Sequence, residues 1–395
     1  MKREKSLEDM TSKERVKKVF EHQIPDKVAV FEQLIVSKVA SKILGRYAYT
    51  GGGEFARDML EGQMEDRQDQ IVKRHIEDTV ELHQKLDLDI VPVGLVPPKN
   101  IDKQNLPQKI AENTYRYQDS EDKNNFSISR FSPESGQFFT VDSSSRNKGL
   151  AAIEELGKGL KETIKEPIKF KEDQWEAVDA IVEELGKEKA ICISQAMGIP
   201  IQSAWLEAVL LRPDLVELHL DNALHYALTY VEEAARHGID FINGGGDLAD
   251  TKGPVYSPKI FREMVLPRFQ KLVAHCHQLG LPYIFRTDGN VWPIAGDLFI
   301  NSGVDGFGEI QPTAGMDLAS LKEKFPNLIL WGNLDCGDTL INGSEERIEK
   351  EVKECFNKGK PGGNYIFGSS NSIHWGVPAE NFLLMRKAAE RYRNY

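Results

Sequence analysis

The sequence predicts an α/β fold, a (β/α)₈ or TIM barrel that carries an N-terminal helical extension and a β-hairpin insertion. Short apolar runs alternate with amphipathic helices, which is typical of right-handed βαβ units and a parallel sheet. The chain has 395 residues, and a barrel with insertions fits a chain longer than the roughly 250–300 residues of a large single domain. No G-x-G-x-x-G motif follows any of the runs, which disfavours a doubly wound dinucleotide-binding sheet. We expect one domain over residues 1–395.

The N-terminal extension is predicted to be helical. Thr11 and Glu14 form the T-x-x-E pattern of a capping box, which predicts a helix that begins after Thr11. A second helical stretch is predicted from Glu54 to Lys85, interrupted only by Gly62.

The predicted barrel has eight strands, and each apolar run is short enough to be a buried strand. The runs are Val28–Phe31, Asp89–Val93, Ala190–Ile193, Ile239–Ile242, Pro282–Phe285, Val304–Phe307, Leu328–Trp331 and Tyr365–Phe367. Proline at the start and glycine at the end of the intervening segments favour helices between the strands.

The segment from about 103 to 146 has a different pattern, in which polar residues alternate with aromatic and β-branched ones. Turn residues cluster at 119–125 and 133–136. This pattern predicts antiparallel hairpins that form an insertion in the barrel domain, not a separate domain.

Composition excludes several classes of function. The net charge of −11 and the sequence pI near 5.5 argue against a nucleic-acid partner. No run approaches the roughly 18–20 apolar residues that cross a membrane, and the first residues lack the apolar stretch of a signal peptide. Four scattered cysteines do not form a disulfide framework, so we expect a cytoplasmic protein.

Polar residues follow five consecutive predicted strands, at the ends that form the active-site face of such a barrel. Glu309, Cys336 and His374 follow the sixth, seventh and eighth strands. A carboxylate, a thiolate and an imidazole together suit Zn²⁺ with one open position, so these three residues are the predicted metal ligands.

Each of these residues also has a structural interpretation. Cys336 suits a small buried apolar residue, and His374 suits a hydrogen-bonded structural histidine. Glu309 suits an ion pair or a helix cap. Asp288 and Asp247 are the predicted catalytic residues: Asp288 could also replace a metal ligand or orient one, and Asp247 could also cap the next helix.

Five segments carry a family resemblance. They are Ser257–Glu263, Thr287–Asn290, Ala314–Leu318, Trp331–Asp335 and Gly368–His374. With these segments the chain resembles the uroporphyrinogen decarboxylase superfamily of (β/α)₈ barrels, from residue 11 to the end. The decarboxylases carry an R-Q-A-G-R-Y segment, of which only Gly45-Arg46-Tyr47 is present here, and a polyanionic substrate without its arginine clamp is hard to hold.

The resemblance extends to the zinc-dependent, corrinoid-linked methyltransferases of that superfamily. In those that methylate a thiol, an H-x-C pair corresponds to Arg286-Thr287-Asp288, and a late cysteine corresponds to Ser369-Ser370. The set Glu309, Cys336 and His374 is similar to the ligands of methyltransferases that demethylate methoxylated aromatics. The resemblance therefore implies an O-demethylase component that moves a methyl group from an aryl methyl ether to the cobalt of a corrinoid protein.

In that role Zn²⁺ would polarise the ether oxygen, and Asp288 or Asp247 would orient the substrate or protonate the departing oxygen. The expected partners are a corrinoid protein, which docks over the barrel mouth, and a small aromatic methyl ether. The alternatives are a coenzyme M-type thiol or methylamine methyltransferase, a uroporphyrinogen decarboxylase, and a non-catalytic corrinoid- or tetrapyrrole-binding protein. The sequence does not decide between a monomer and a homodimer.

Overall fold

The computed structural model describes residues 10–118 and 125–395. The predicted turn at 119–125 lies almost entirely outside the described residues, whereas the predicted turn at 133–136 is present. There the backbone N–H of Gly136 donates to the carbonyl of Ser132.

Eight parallel strands form the predicted barrel, and each of them coincides with one of the predicted apolar runs. The strands are β1 (Ala29–Val30), β2 (Ile90–Val93), β7 (Ala190–Ile193), β8 (Phe241–Gly245), β9 (Tyr283–Arg286), β10 (Gly306–Gly308), β11 (Ile329–Trp331) and β12 (Tyr365–Phe367). Their order in the sheet is β1-β12-β11-β10-β9-β8-β7-β2, so neighbours in sequence are neighbours in space.

Helices surround the strands, as the alternating pattern predicts. They are α1 (Ser12–Phe20), α2 (Ser37–Leu44), α3 (Gly52–Met64), α4 (Gln68–Lys85), α5 (Ser144–Lys148), α6 (Leu150–Thr163), α7 (Glu176–Leu185), α8 (Ser203–Leu211), α9 (Pro213–Arg236), α10 (Pro258–Ile260), α11 (Leu266–Gln278), α12 (Leu318–Lys324), α13 (Thr339–Asn342), α14 (Glu345–Gly359) and α15 (Ala379–Tyr392). No helix in the described part of the chain is both long enough and apolar enough to cross a membrane.

The insertion is a four-stranded antiparallel sheet, as the alternating pattern predicts. Its strands are β3 (Gln108–Ala111), β4 (Thr114–Gln118), β5 (Phe126–Ser132) and β6 (Gln137–Ser143). The sheet packs on α3, where the hydroxyl of Tyr115 donates to the carboxylate of Glu61 at 2.8 Å.

The N-terminal helices differ in one detail from the prediction. The capping box at Thr11 and Glu14 is present and starts α1. The predicted stretch from 54 to 85 is two helices that break after Met64, not at Gly62. A side chain at Gly62 would place its Cβ 2.4 Å from Ile71, so this glycine allows α3 and α4 to pack closely.

The interior of the barrel is apolar. Its side chains alternate along the strands and form one buried cluster, which helix α1 covers at one end with Val16 and Val19. A second, larger cluster fills the space between the outer faces of the strands and the helices. This arrangement is the usual one for a (β/α)₈ barrel, in which the interior is a packed core.

Asp89 closes the barrel at the seam between β1 and β2, which pair with other strands on their far sides only. Its backbone N–H donates to the carbonyl of Val30 at 3.0 Å, and its carboxylate accepts from the N–H of Val30 at 2.7 Å. Arg15 from α1 and Arg393 from the end of the chain form ion pairs with the same carboxylate. The first helix and the C-terminal residues are thus attached to the seam.

The Asp89 carboxyl is 1% exposed. Burial acts to raise its pKa, but the charges of Arg393 and Arg15, with hydrogen bonds from Ser12 and Val30, outweigh burial and lower the pKa. The ionised form is therefore the one that the fold holds.

We predict that Asp89→Asn lowers the free energy of unfolding by about 3–5 kcal/mol, because it leaves two buried arginines without their shared counter-ion. Denaturant titration at neutral pH measures this loss. The wild-type contribution is present above the ordinary pKa of an aspartate, about 3.9, and is lost as pH falls through the lowered pKa. The control is Asp338→Asn, which removes a surface ion pair with Arg347 and should cost at most about 1 kcal/mol. Equal, small losses in both variants would contradict the role of Asp89.

Candidate active site

The candidate active site lies at the carboxyl ends of the barrel strands, where the polar residues predicted from the sequence are found. Gln33 follows β1, Arg286 ends β9 and Asp288 follows it, Glu309 follows β10, and Asn371 follows β12. We call these five residues the mouth chain, because hydrogen bonds connect them.

The mouth chain runs from a guanidinium to a carboxyl group. Arg286 Nη1 donates to Glu309 Oε1 at 3.2 Å, and the amide of Gln33 donates to the same oxygen. Gln33 also donates to Asn371 Oδ1 at 3.3 Å. The Nδ2 group of Asn371 in turn donates to both carboxyl oxygens of Asp288, at 2.9 and 2.8 Å. Four strand ends are thereby joined through side chains.

Glu309 is held tightly within the mouth chain. It is 4% exposed, and its backbone has a φ of 58°, a left-handed conformation that is uncommon outside glycine. Burial raises the pKa of its carboxyl group, against the charge of Arg286 and the hydrogen bond from Gln33. Strained residues of this kind cluster at functional sites, which fits the position of Glu309.

Asp288, one of the two predicted catalytic residues, faces the mouth and is half-buried. Burial raises the pKa of its carboxyl group, the hydrogen bonds from Asn371 oppose this, and the nearby charge of Asp247 adds to it. Asp288 therefore keeps its proton to a higher pH than an ordinary aspartate, which suits a proton donor.

Asp247, the other predicted catalytic residue, is exposed in the loop after β8. The cap of the next helix is Ser257, so Asp247 does not take the structural role that the sequence left open. Its charge acts on both Asp288 and Glu309.

A buried carboxyl group lies behind the mouth chain. Glu32 is 0% exposed and accepts from the backbone N–H of Ser369 at 3.1 Å. The Ser369 hydroxyl lies within hydrogen-bond distance of both Glu32 and the carbonyl of Asn371. The hydroxyl has one proton and the carbonyl can only accept, so a protonated Glu32 that donates to Ser369 Oγ satisfies both contacts. Burial raises the pKa of Glu32 to about 8, which agrees with a protonated group.

Cys336 and His374, two of the predicted zinc ligands, are bonded to protein groups. The Cys336 thiol accepts from the Ser370 hydroxyl at 3.4 Å, and burial raises the pKa of this thiol to about 11. His374 Nδ1 accepts from the N–H of Gly376 at 3.1 Å, so Nε2 carries the proton, which faces the carbonyl of Cys336 at 3.1 Å. The structural interpretations of both residues fit these contacts.

The predicted ligand set does not fit a zinc ion as the structure places it. One oxygen of the Glu309 carboxylate, Oε1, accepts from both Arg286 and Gln33, and the Cys336 sulfur accepts from Ser370. Both nitrogens of His374 are engaged. Zinc ligands must converge on one ion at roughly 2.0–2.3 Å. In the described residues, no three histidine, cysteine, aspartate or glutamate side chains are grouped closely enough to do so.

The sequence reasoning missed Gln33 and Glu32, and it did not single out Arg286 or Asn371 as site residues. All four lie within a few residues of strand ends, so the rule that found Glu309 and Asp288 could have found them too. Only the structure shows that Arg286 pairs with Glu309.

Trp375 follows His374 in the loop after β12 and is half-buried. The ammonium group of Lys38 lies 4.3 Å from the centre of its ring and donates to its carbonyl at 3.1 Å. The turn between β5 and β6 covers the ring on another side, where a Cβ at Gly136 would lie 2.3 Å from it. The insertion therefore contacts the loop after β12.

The family model described as Uroporphyrinogen decarboxylase (URO-D) matches residues 193–392, half of the chain. The chain belongs to the uroporphyrinogen decarboxylase family. The match covers the strands from β8 to β12, which supply all of the mouth chain except Gln33.

Curated relatives in this family are similar over the same half. A uroporphyrinogen decarboxylase from Geobacter metallireducens is 28% identical over 190 residues, which cover 45% of this chain and 50% of the relative. One from Pelobacter propionicus is 27% identical over 182 residues, with the same shares covered. The chain thus matches about half the length of these relatives.

A solved structure of a methyltransferase from Methanosarcina mazei is similar over nearly the whole length. It has a TM-score of 0.64 and 17% sequence identity, and the match covers 97% of this chain and 99% of that one. This likeness confirms the predicted barrel fold.

We predict that Glu32→Gln removes a pH dependence of stability. The glutamine amide can donate to Ser369 as the protonated acid does. The wild-type acid binds its proton more tightly when folded, so its free energy of unfolding should fall as pH rises from about 4.5 to about 8. The slope is at most about 1.4 kcal/mol per pH unit. Denaturant titrations across this range should show that the free energy of unfolding of the glutamine variant increases relative to that of the wild type as pH rises. If the free energies of unfolding of the two proteins changed with pH in the same way, the result would contradict a protonated Glu32.

Proposed function

We propose that this family member transfers the methyl group of a methoxylated aromatic compound to the cobalt of a reduced corrinoid protein. The observation that carries the proposal is the mouth chain, which puts a carboxyl group of raised pKa next to a guanidinium at the open end of the barrel. An aryl ether gives up its methyl group more readily when its oxygen receives a proton or faces a positive charge. The sequence resemblance to O-demethylases supports the same reaction.

The reaction has one bond-breaking step. The reduced corrinoid supplies the nucleophile, its Co(I) centre. The bond between the methyl carbon and the ether oxygen breaks, the methyl group goes to cobalt, and the electron pair of the broken bond stays on oxygen. Asp288 gives its proton to that oxygen and regains one from water at its exposed side, so the products are a phenol and methylated cobalt.

The remaining residues of this chain position the reactants. Asn371 holds both oxygens of Asp288, which fixes the acid relative to the mouth. The corrinoid would approach from the open side of the mouth. We derive no step through zinc, because the predicted ligands are bonded to other groups.

Decarboxylation of a porphyrinogen is the second candidate, because the curated relatives carry that name. The arginine that the sequence retains from the decarboxylase segment, Arg46, is bonded to Asp78 and Glu81 at 2.7 and 2.6 Å. It is therefore not available as an anion clamp, which favours methyl transfer.

We predict that the protein methylates a reduced corrinoid. The test mixes it with free cob(I)alamin, or with a reduced corrinoid protein, and with vanillate, syringate or guaiacol as donor. The Co(I) absorption should decrease as that of methylcobalamin grows, with one phenol released for each methyl group transferred. Uroporphyrinogen is tested in parallel as the substrate for the second candidate function, decarboxylation. No spectral change with any donor or acceptor would contradict the proposed function, and carbon dioxide release from uroporphyrinogen would replace it.

We predict that Asp288→Asn lowers the rate of methyl transfer by a factor of ~10²–10⁴, because the proton donor is lost. The loss should be smallest for donors whose phenols are acidic, since these leave without a proton. In the wild type, the rate should fall as pH rises through the raised pKa of Asp288. The control is again Asp338→Asn, which lies outside the mouth. An unchanged rate and pH profile in Asp288→Asn would exclude this acid.

A further inference from the structure

Arg286 has hydrogen-bond donors that the protein does not use. A guanidinium has five N–H groups, and in the described part of the chain its one hydrogen-bond partner is Glu309. Its Nε is buried without a partner, and its side chain as a whole is 25% exposed toward the mouth. An unpaired buried donor costs about 1–3 kcal/mol, so this arrangement is one that a ligand acceptor in the mouth would complete.

A second unpaired polar atom lies close by in the barrel. Asn243 on β8 is 1% exposed, and its Oδ1 has no hydrogen-bond partner within residues 10–118 and 125–395. In the register of the two strands, Asn243 pairs with Ile284 and Gly245 pairs with Arg286. Asn243 therefore lies one layer below Arg286 on the neighbouring strand. Two adjacent positions of the inner wall thus carry polar atoms, Arg286 Nε and Asn243 Oδ1, that have no partner among the described residues.

The position of Arg286 coincides with the place where the thiol-methylating members of the superfamily differ from this chain. The resemblance aligns Arg286-Thr287-Asp288 with an H-x-C pair of metal ligands. Here a guanidinium, which is always charged and cannot ligate a metal, stands at the first of those positions. Its Nη1 forms an ion pair with buried Glu309 at 3.2 Å. A permanent cation is therefore built into the site from the chain itself.

We propose that Arg286, and not a metal ion, stabilises the negative charge that develops on the oxygen as the methyl group leaves. This inference rests on the proposed function. The electron pair of the broken bond stays on oxygen, the free N–H groups of Arg286 donate hydrogen bonds to it, and Asp288 supplies the proton. Arg286 and Asp288 are two residues apart at the same strand end, and the mouth chain connects them around Glu309 and Gln33.

The other residues of the mouth chain hold the flexible side chain of Arg286 in place, so that it can donate to the leaving oxygen. The Glu309 carboxylate holds one end of the guanidinium, and Gln33 holds Glu309 in turn. The remaining donors are thus pre-organised before substrate binds. Removing one pre-organised donor to a developing oxyanion costs a factor of ~10²–10³ in rate in enzymes of this kind.

The first test measures charge stabilisation without any reaction. Para-nitrophenol, whose phenolate is yellow, is titrated across pH in the presence of wild type, Arg286→Gln, Arg286→Lys and Arg347→Gln. Arg347 forms ion pairs with Asp338 and Glu351 on the outside of the barrel and serves as the matched control.

Wild type and control should bind the phenolate about tenfold more tightly than the phenol, which lowers the apparent pKa of the bound ligand. Arg286→Gln should abolish this preference and Arg286→Lys should retain part of it. Equal binding of both forms by the wild type, or no phenolate binding at all, would overturn the inference.

The second test measures methyl transfer by protein whose metal content has been determined by elemental analysis before and after treatment with a chelator. The rate should be the same in both samples. Arg286→Gln should lose a factor of ~10²–10³, with a steeper dependence of rate on the acidity of the leaving phenol. A rate that is lost on chelation and restored by Zn²⁺ would assign the charge to the metal and overturn the inference. Turnover that fails with every donor contradicts the proposed function instead, and the nitrophenol titration still decides the role of Arg286.

Because Arg286→Gln leaves Glu309 buried without its cation, the double variant Arg286→Gln/Glu309→Gln is included. It removes both charges of the pair together and should keep the thermal stability of the wild type. If the double variant is folded and still prefers the phenolate, Arg286 is not the source of the stabilisation.

Discussion

Asp89 is the residue on which the barrel depends, because it completes a cylinder that strand pairing alone leaves open. β1 is a strand of two residues, too short to pair on both sides by a regular ladder. The Asp89 backbone and carboxylate replace the missing ladder with two hydrogen bonds to Val30. Arg15 and Arg393 bring both ends of the described chain to the same carboxylate. A single buried charge thus links barrel closure to the docking of α1 and of the C-terminal residues.

This arrangement separates the two ends of the barrel. Asp89 precedes β2 and therefore lies at the amino ends of the strands, where its charges are fully paired with protein. The carboxyl ends carry the mouth chain, whose polar groups are only partly paired. (β/α)₈ barrels commonly show this division of roles: residues at the amino ends of the strands stabilise the fold, and residues at the carboxyl ends form the active site. The strained backbone of Glu309 and the donors of Arg286 that have no partner in the described part of the chain both lie at the mouth end.

The strands and the candidate site were predictable to different degrees. The eight strands were predictable because strands buried on both faces are short, mainly apolar runs, of which β7 and β12 are the clearest. The strand-end rule also located Asp288 and Glu309. It could not predict what each side chain contacts, because loop conformation decides this. Glu309 has a left-handed backbone conformation and contacts Arg286, and the His374 ring contacts the backbone carbonyl of Cys336. Neither contact follows from residue type or spacing. The break between α3 and α4 was missed for the same reason.

The pairing of Arg286 with Glu309 changes what the mouth can do chemically. A metal ion would place its charge at the substrate oxygen, at a position set by its ligands. A guanidinium brings a weaker, delocalised charge, but it offers directional donors and needs no free ligands around it. Such a site must obtain from an acid the part of the activation that a metal would have supplied. Asp288 is placed for that role on the same strand end, with its pKa raised by burial. The proposed roles of Arg286 and Asp288 are therefore complementary: the guanidinium stabilises the charge on the oxygen, and the carboxyl group supplies the proton.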